Sequence, residues 1–390
     1  MDKHSSKVAF CGFSAFFTSL GITLFAYPVL LPYVIEEKWV TEDIANIILN
    51  FDEVGFIIGL IATTFLHKFF SWKQILRYSL LLSSISLACP PIIINFYWLS
   101  ICILFMSFLS GIIVSSAPPY LLSTVTDNNK SFVAGVMYSG TGFGFVFTSI
   151  IIDIFVGHGL HIIWSAFAII ILIFAIFSWF LWPSENSVIK EVIKDQSKPA
   201  QKKLNYIKTI VFTCILFEIG TSAIILYLEE YLYIYKKFST HETSLAWLLV
   251  GIGSILGTLI FGYLSKYLGI KYTFMITILL AGSSTMLLGI ISMRGMILLL
   301  TLAGSLGIYA GVAMYAAYNN LANTGKFSLI SWQIIILAET ISAWLAILLF
   351  GFLLQYDVHY SMIFIICGAL LIFALVVTML LPNIKTKTRS

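Results

Sequence analysis

Four acidic residues lie deep inside long apolar stretches. They are Asp52 and Glu53 in IILNFDEVGFIIGL, Glu218 in FTCILFEIGTSAIIL and Glu339 in IIILAETISAWLA. No lysine or arginine accompanies them at the middle of any such stretch. A charge at the centre of a membrane helix costs about 2.5 to 3.5 kcal/mol on insertion scales, and a carboxyl without a cationic partner avoids much of that cost by binding a proton. Groups of this kind load and release protons as their access to water changes, so these four are the candidates for proton-coupling chemistry. Asp52 and Glu53 are adjacent and point about 100° apart on a helix, so one of the two is expected to face inward. Asp153, Glu229 and Glu230 fall at the ends of apolar stretches and are expected to be solvated.

The elements that must position these residues are membrane helices. Of the 390 residues, 59% are hydrophobic and 10% charged, and the mean hydropathy is +0.98; a soluble domain averages about 25% charged. Stretches near 20 apolar residues, the length a helix needs to cross about 30 Å of hydrocarbon, predict twelve spans: 8–35, 43–66, 75–95, 97–118, 132–155, 160–182, 207–231, 244–265, 273–292, 295–318, 329–354 and 360–382. Helices are the only reading, because they satisfy their own backbone groups in lipid. The first stretch is too long for a signal-peptide core and is interrupted by Pro28 and Pro32 rather than closed by a small-residue cleavage site, which predicts a retained span.

Loop charge sets the expected orientation. With a cytoplasmic N-terminus, 18 of the 22 basic residues fall inside and only Lys38, Lys236, Lys237 and Arg294 fall outside, which predicts both termini in the cytoplasm. The long polar segment 183–206 then joins a six-span half, 1–182, to a second, 207–390. Cys11, Cys89, Cys102, Cys214 and Cys367 all lie in apolar stretches with no CxxC pair, which fits packing rather than disulfide or metal duty. His158, His161, His241 and His359 are expected outside, without the companions a metal site needs.

The two halves repeat one another. Gly59, Leu66, Lys68 and Lys73 recur as Gly257, Leu264, Lys266 and Lys271, each 198 residues on. A duplicated membrane unit points to a transporter, in which the substrate site lies between repeats that rock against each other.

Twelve spans in two halves, a central polar linker and a repeated glycine-to-lysine loop after spans 2 and 8 resemble the major facilitator superfamily over nearly the whole chain. Its loop reads roughly G-x-x-x-D-R-x-G-R-[RK]; here the second copy keeps Gly257, Gly269, Lys266 and Lys271, while the acidic position is Ser265, and His67 in the first copy. The resemblance implies that Gly59, Lys68, Lys73 and their second-half counterparts are gating-loop residues. Gly135, Gly140, Gly142 and Gly144 are similar to the glycine-rich fifth helix of exporters in this superfamily, without its proline, and imply close helix packing and export. The stretch from Gly21 to Pro32 is similar to that of the YbfB/YjiJ-type branch, with Leu24 where that branch has arginine. That branch carries a polar residue at the position of Asp52, which singles out Asp52 over Glu53.

The resemblance also implies that helices 1, 4, 7 and 10 line a cavity. Candidate substrate contacts are then Tyr27, Tyr120, Tyr227, Tyr309 and Tyr315, joined from span 11 by Trp332 and Gln333; Tyr and Trp pair an apolar body with a hydrogen-bonding edge. Ser107 stands where the superfamily often has an arginine. Without a cavity cation to fork onto carboxylates or phosphates, the expected cargo is a small neutral, zwitterionic or cationic organic solute.

No G-x-x-x-x-G-K-[ST], G-x-S-x-G or H-E-x-x-H occurs. The expectation is a proton-coupled secondary transporter of a cell inner membrane, monomeric, with no enzymatic activity, cofactor, metal or nucleic-acid partner. The alternatives are an uncoupled facilitator and a non-transporting sensor or assembly protein that kept the helices. Reporter fusions test the topology: those at Thr126, Gln196 and Asn323 are expected to report cytoplasm, and those at Lys38 and His158 the outside, with a reversed signal at Gln196 overturning the orientation.

Overall fold

A computed structural model describes residues 2–184, 201–323, 326–356 and 358–384. Most of the expected linker, with Lys190, Lys194 and Lys198, lies outside the described residues, as do Lys385, Lys387 and Arg389. Among the described residues all regular structure is helical, and twelve helices are long and apolar enough to cross a membrane. They run Lys3–Glu36, Asp43–Leu66, Trp72–Ile92, Phe96–Ser123, Asp127–Phe155, Leu160–Trp179, Tyr206–Tyr235, His241–Leu268, Ile270–Ile290, Arg294–Ala322, Phe327–Gln355 and Tyr360–Met379, and are numbered spans 1 to 12. The fold is an all-α membrane architecture. Asp2 caps span 1, accepting the Ser5 N–H at 2.8 Å, and its hydrogen bonds to Ser5 hold this carboxyl below the usual range.

Several span ends lie beyond the hydrophobic stretch, and prolines explain the two main departures. Span 1 consists of an α-helix Lys3–Phe16, a π-helical turn Phe17–Thr23 and a second α-helix Ala26–Glu36. The break precedes Pro28 because the proline ring clashes with the carbonyl of the residue four positions earlier, here Leu24. Span 4 continues through Pro118 and Pro119 to Ser123 rather than stopping at 118, since membrane helices tolerate proline where neighbouring groups take up the freed carbonyls. Arg77, grouped with the loop by charge, is instead the sixth residue of its helix, with its guanidinium 5.0 Å from the Trp179 ring centroid.

The chain forms two compact units, Met1–Val125 with Val136–Val192, and Thr126–Gly135 with Ile193–Ser390. In the first, spans 2 and 4 cross so closely that a methyl group on Gly55 would overlap the Leu104 carbonyl oxygen, one on Gly59 the Phe108 carbonyl oxygen, and one on Gly111 the Phe56 carbonyl oxygen. The second unit repeats the crossing between spans 8 and 10. There Gly253 meets the Leu302 carbonyl and Gly257 the Leu306 carbonyl, each partner again 198 residues on. The tyrosine at the end of span 4 and its mate in span 10 repeat too: Tyr120 donates to the Pro183 carbonyl and Tyr318 to the Pro382 carbonyl.

These contacts make a testable ranking. Gly55→Ala and Gly253→Ala put a methyl into backbone and are expected to cost about 1 to 3 kcal/mol each, the range for overpacking. Gly351→Ala, where nothing lies within 4 Å, is expected to be neutral or to raise stability by up to about 1 kcal/mol, as Gly to Ala in a helix does. Thermal unfolding of the detergent-solubilised variants checks the order.

Candidate functional site

The first unit holds Asp52 and Glu53 on span 2. Asp52 is buried and Glu53 half-buried, as expected for adjacent positions on one helix. The Ser107 hydroxyl of span 4 donates to the Asp52 carboxyl. Ser107 is therefore the partner of Asp52, a pairing that the sequence did not reveal. Two to three helical turns along, Ser115 donates to the Thr63 hydroxyl at 2.7 Å, and Thr63 in turn donates to the Gly59 carbonyl at 3.0 Å. The crossing that the glycines permit thus carries its polar groups as a ladder of span 2 to span 4 bonds.

The second unit holds Glu218 on span 7 and Glu339 on span 11, and brings them together. Glu339 is buried and within hydrogen-bonding reach of the Tyr315 hydroxyl and the Cys214 thiol, with Glu218 close enough to interact; its Oε1 atom has no hydrogen-bond partner. Glu218 is half-buried and also interacts with Tyr309. Around them Tyr315 packs on Trp332 at 6.0 Å between centroids, on Phe217 at 6.2 Å and on Phe274 at 6.0 Å. Neither Cys214 nor Phe217 stood out in the sequence; the signal available was their position one turn and one residue before Glu218.

The expected aromatic contacts divide by what their hydroxyls do. Tyr309 and Gln333 are half-buried, and Tyr315 and Trp332 are buried beside Glu339. Tyr27 donates to the Ala45 carbonyl at 3.0 Å, Tyr227 to Ile347 at 3.3 Å and Tyr120 to Pro183 at 2.6 Å, so these three tie span 1 to span 2, span 7 to span 11 and span 4 to the chain just after span 6 through backbone carbonyls. Among the outer acids, Asp153, Glu229 and Glu230 are exposed, and Glu230 accepts from Tyr360 at 2.7 Å.

The loop residues have distinct surroundings. Lys68 lies 5.2 Å from the Phe65 ring centroid and Lys266 lies 5.0 Å from that of Phe132. Lys73 is half-buried near Cys11 and Arg77, and Lys271 donates to the Met379 carbonyl at the end of span 12 at 2.8 Å. Gly269 has φ +80° between spans 8 and 9, a conformation that favours glycine. In span 5, methyls on Gly140 and Gly144 would meet the span 1 backbone at Phe13 and Gly21, and one on Gly135 would meet the Thr258 carbonyl of span 8; Gly142 is buried.

The sequence model of the Major Facilitator Superfamily matches residues 11–329. The chain belongs to the major facilitator superfamily. The match is to the superfamily as a whole rather than to a branch within it. No curated protein sequence matches this member significantly. Solved structures do: the E. coli fucose:proton symporter FucP, at 14% identity and a TM-score of 0.73 over 98% of this chain and 100% of that one, and the proton:xylose symporter XylE, at 13% and 0.79 over 99% and 96%. FucP in its outward conformation matches at 12% and 0.72 over 97% and 99%. At these identities the likeness is one of fold. Family and fold together make this chain a multi-pass membrane transporter of the secondary kind.

For this superfamily member the Asp52 pairing has a direct test. Ser107→Ala removes a donor from a buried carboxyl and is expected to destabilise by about 1 to 3 kcal/mol. Ser305→Ala, at the repeat-equivalent site where the hydroxyl only donates to the Thr301 carbonyl of its own helix, is expected to cost less, about 0.5 to 1.5 kcal/mol. Equal losses on thermal unfolding would remove the special role of Ser107.

Proposed function

We propose that this transporter is proton-coupled and works by alternating access, with Glu218 and Asp52 as the leading proton carriers and Glu339 and Glu53 as their neighbours. The observation that carries the reading is that these carboxyls sit at membrane depth with no cation within nine residues along the chain; no lysine or arginine occurs between Lys38 and Lys68, between Lys208 and Lys236 or between Lys326 and Lys385. Such a carboxyl changes its charge only by gaining or losing a proton. The Glu218 and Glu339 pair supports it further, since two adjacent acids are most readily accommodated when they share a proton.

The cargo is a small neutral, zwitterionic or cationic organic solute, held by Tyr309, Tyr315, Trp332 and Gln333. Export across a cell inner membrane, with both termini cytoplasmic, is the direction that the glycine-rich fifth span favours. The lysines of the two repeated loops act at the cytoplasmic gate. A second reading, an uncoupled facilitator or a non-transporting sensor or assembly protein, draws on His67 and Ser265, which replace the acidic residue of both loops.

Gradient-driven flux in proteoliposomes, with counterflow measured on the same preparation, separates the readings. Glu218→Gln mimics the protonated acid and is expected to keep counterflow while abolishing accumulation driven by a pH gradient. Asp52→Asn is expected to give a similar or milder defect, and Glu53→Gln a smaller one. Accumulation at the parent level by both Glu218→Gln and Asp52→Asn would establish the second reading instead.

A further inference from the structure

The loops that follow spans 1 and 7 are repeat equivalents with opposite fillings. Each follows its span with a lysine of positive φ, Lys38 at 59° and Lys237 at 55°, and then an aromatic residue, Trp39 or Phe238. Each leads into a helix capped by a hydroxyl residue, Thr41 or Ser239, and lies beside the first residue of a third helix, Phe96 or Arg294.

In the second unit this corner is closed by Arg294. Its Nη1 donates to both Glu242 oxygens, at 2.8 and 3.0 Å, its Nη2 donates to the Lys237 carbonyl at 3.0 Å, and its guanidinium carbon lies 5.3 Å from the Phe238 ring centroid. Glu242 also completes a capping box with Ser239. In the first unit the lysine carbonyl and the aromatic ring remain, but the groups that close the corner differ. Phe96 stands for Arg294 and Ile44 for Glu242, Thr41 makes no side-chain cap bond, and the loop is one residue longer through Val40. The result is an open cavity of about 540 Å³ whose lining includes Lys38, Trp39, Val40, Thr41, Ile44 and Phe96, a volume within the range of small-molecule sites.

We propose that this corner of the first unit is a binding site for an organic cation of the guanidinium, amidinium or alkylammonium class carrying an apolar body. Arg294 is the template: its head lies over an aromatic ring and donates to a loop carbonyl, and the first unit offers Trp39 and the Lys38 carbonyl at those two positions of the loop. Trp is the strongest of the aromatic partners for a cation. The Trp39 ring is fixed by its own N–H, which donates to the Glu37 carboxylate at 3.2 Å, and Glu37 is itself held by the Leu160 N–H at 2.9 Å. Glu36 and Glu37, the two residues before Lys38, are exposed and line a separate cavity of about 230 Å³; they put negative charge on the same loop, where the second unit has that of Glu242. The Lys38 ammonium is exposed and does not bar a cation, because Lys237 occupies the same place beside Arg294. Val40, Ile44 and Phe96 take the apolar body.

The test is equilibrium binding to the purified full-length chain in detergent, with no gradient, so that its outcome is independent of proton coupling. Benzamidinium is the probe, benzamide its neutral isostere and benzoate its acidic one. Benzamidinium is expected to bind about tenfold more tightly than either, the factor that corresponds to a cation–π contact of 1 to 2 kcal/mol. Trp39→Leu, and separately Ile44→Glu with Phe96→Arg, which builds the Arg294 latch into the first unit, are each expected to reduce that affinity about tenfold. Trp39→Leu carries the test alone if the double variant does not fold. Benzamide or benzoate binding as tightly as benzamidinium overturns the proposal. So does affinity that survives Trp39→Leu, or affinity lost in Glu218→Gln but kept in Trp39→Leu, which places the probe at the buried carboxyls.

Discussion

Backbone-to-backbone approach at a few glycines is the constraint on which the rest of each unit depends. In lipid, helices gain little from hiding apolar surface from one another, so association relies on van der Waals packing and interhelical hydrogen bonds, both of which need small residues at the crossing. Spans 2 and 4 meet where Gly55, Gly59 and Gly111 face carbonyl oxygens, and spans 8 and 10 meet where Gly253 and Gly257 do the same. Only at that separation does the short Ser107 side chain reach Asp52, and Ser115 reach Thr63. A larger residue at Gly55 or Gly59 would therefore disturb the polar contacts together with the packing, because both are set by one interhelical distance.

On this shared frame the two units differ mainly in their polar groups. Asp52 has Val250 as its repeat mate, while Ser107 keeps a serine in Ser305, so the second unit has the hydroxyl without the acid. The reverse holds at the ends of spans 4 and 10. Asn319, Asn323, Ser328 and Ser331 form a buried network in which Asn319 Oδ1 accepts from Ser331 at 2.7 Å and from Asn323 at 2.9 Å, whereas Leu121 and Val125 occupy the places of the two asparagines. Duplication accounts for the close crossings, and divergence accounts for the polar groups that distinguish one unit from the other.

Much of the frame was legible because its determinants are local. A run of apolar residues long enough to cross a bilayer identifies a span with no knowledge of its neighbours, and the 198-residue spacing of Gly59 and Gly257 exposes the duplication. What the sequence hid depends on partners distant in the chain or on details of backbone geometry. The π-helical turn at Phe17–Thr23 has no composition of its own; Pro28 marks its neighbourhood but lies on the far side of the break. Ser107 read as a missing arginine and proved to be a hydroxyl facing Asp52, across 55 residues of chain. The bond from Tyr120, expected among the cavity residues, to the Pro183 carbonyl just beyond span 6 was equally hidden, across 63 residues of chain. The acids themselves were conspicuous, since a carboxylate is costly in lipid wherever it points; which groups stabilise it is a matter of folding.

The loss of the acidic residue from both repeated loops is offset by aromatic rings contributed by spans packed beside them. His67 replaces one acid, and its ring stacks on Trp72 at 5.3 Å between centroids and 7° between planes, while its Nδ1 lies 3.0 Å from the Thr63 carbonyl. Ser265 replaces the other and donates to the Gly262 carbonyl at 2.8 Å. The lysine beside each replacement has a ring near its ammonium, Phe65 for Lys68 and Phe132 for Lys266. An exposed cation–π contact is worth about 0.5 to 1 kcal/mol, and an exposed ion pair about 0 to 1 kcal/mol. Exchanging one for the other leaves the energy that holds the lysine nearly unchanged while making it less sensitive to salt, because a ring quadrupole carries no net charge to screen. Phe132, in the second turn of span 5, belongs to the same compact unit as Lys266, so the ring that holds the second loop comes from a helix whose remainder belongs to the first unit.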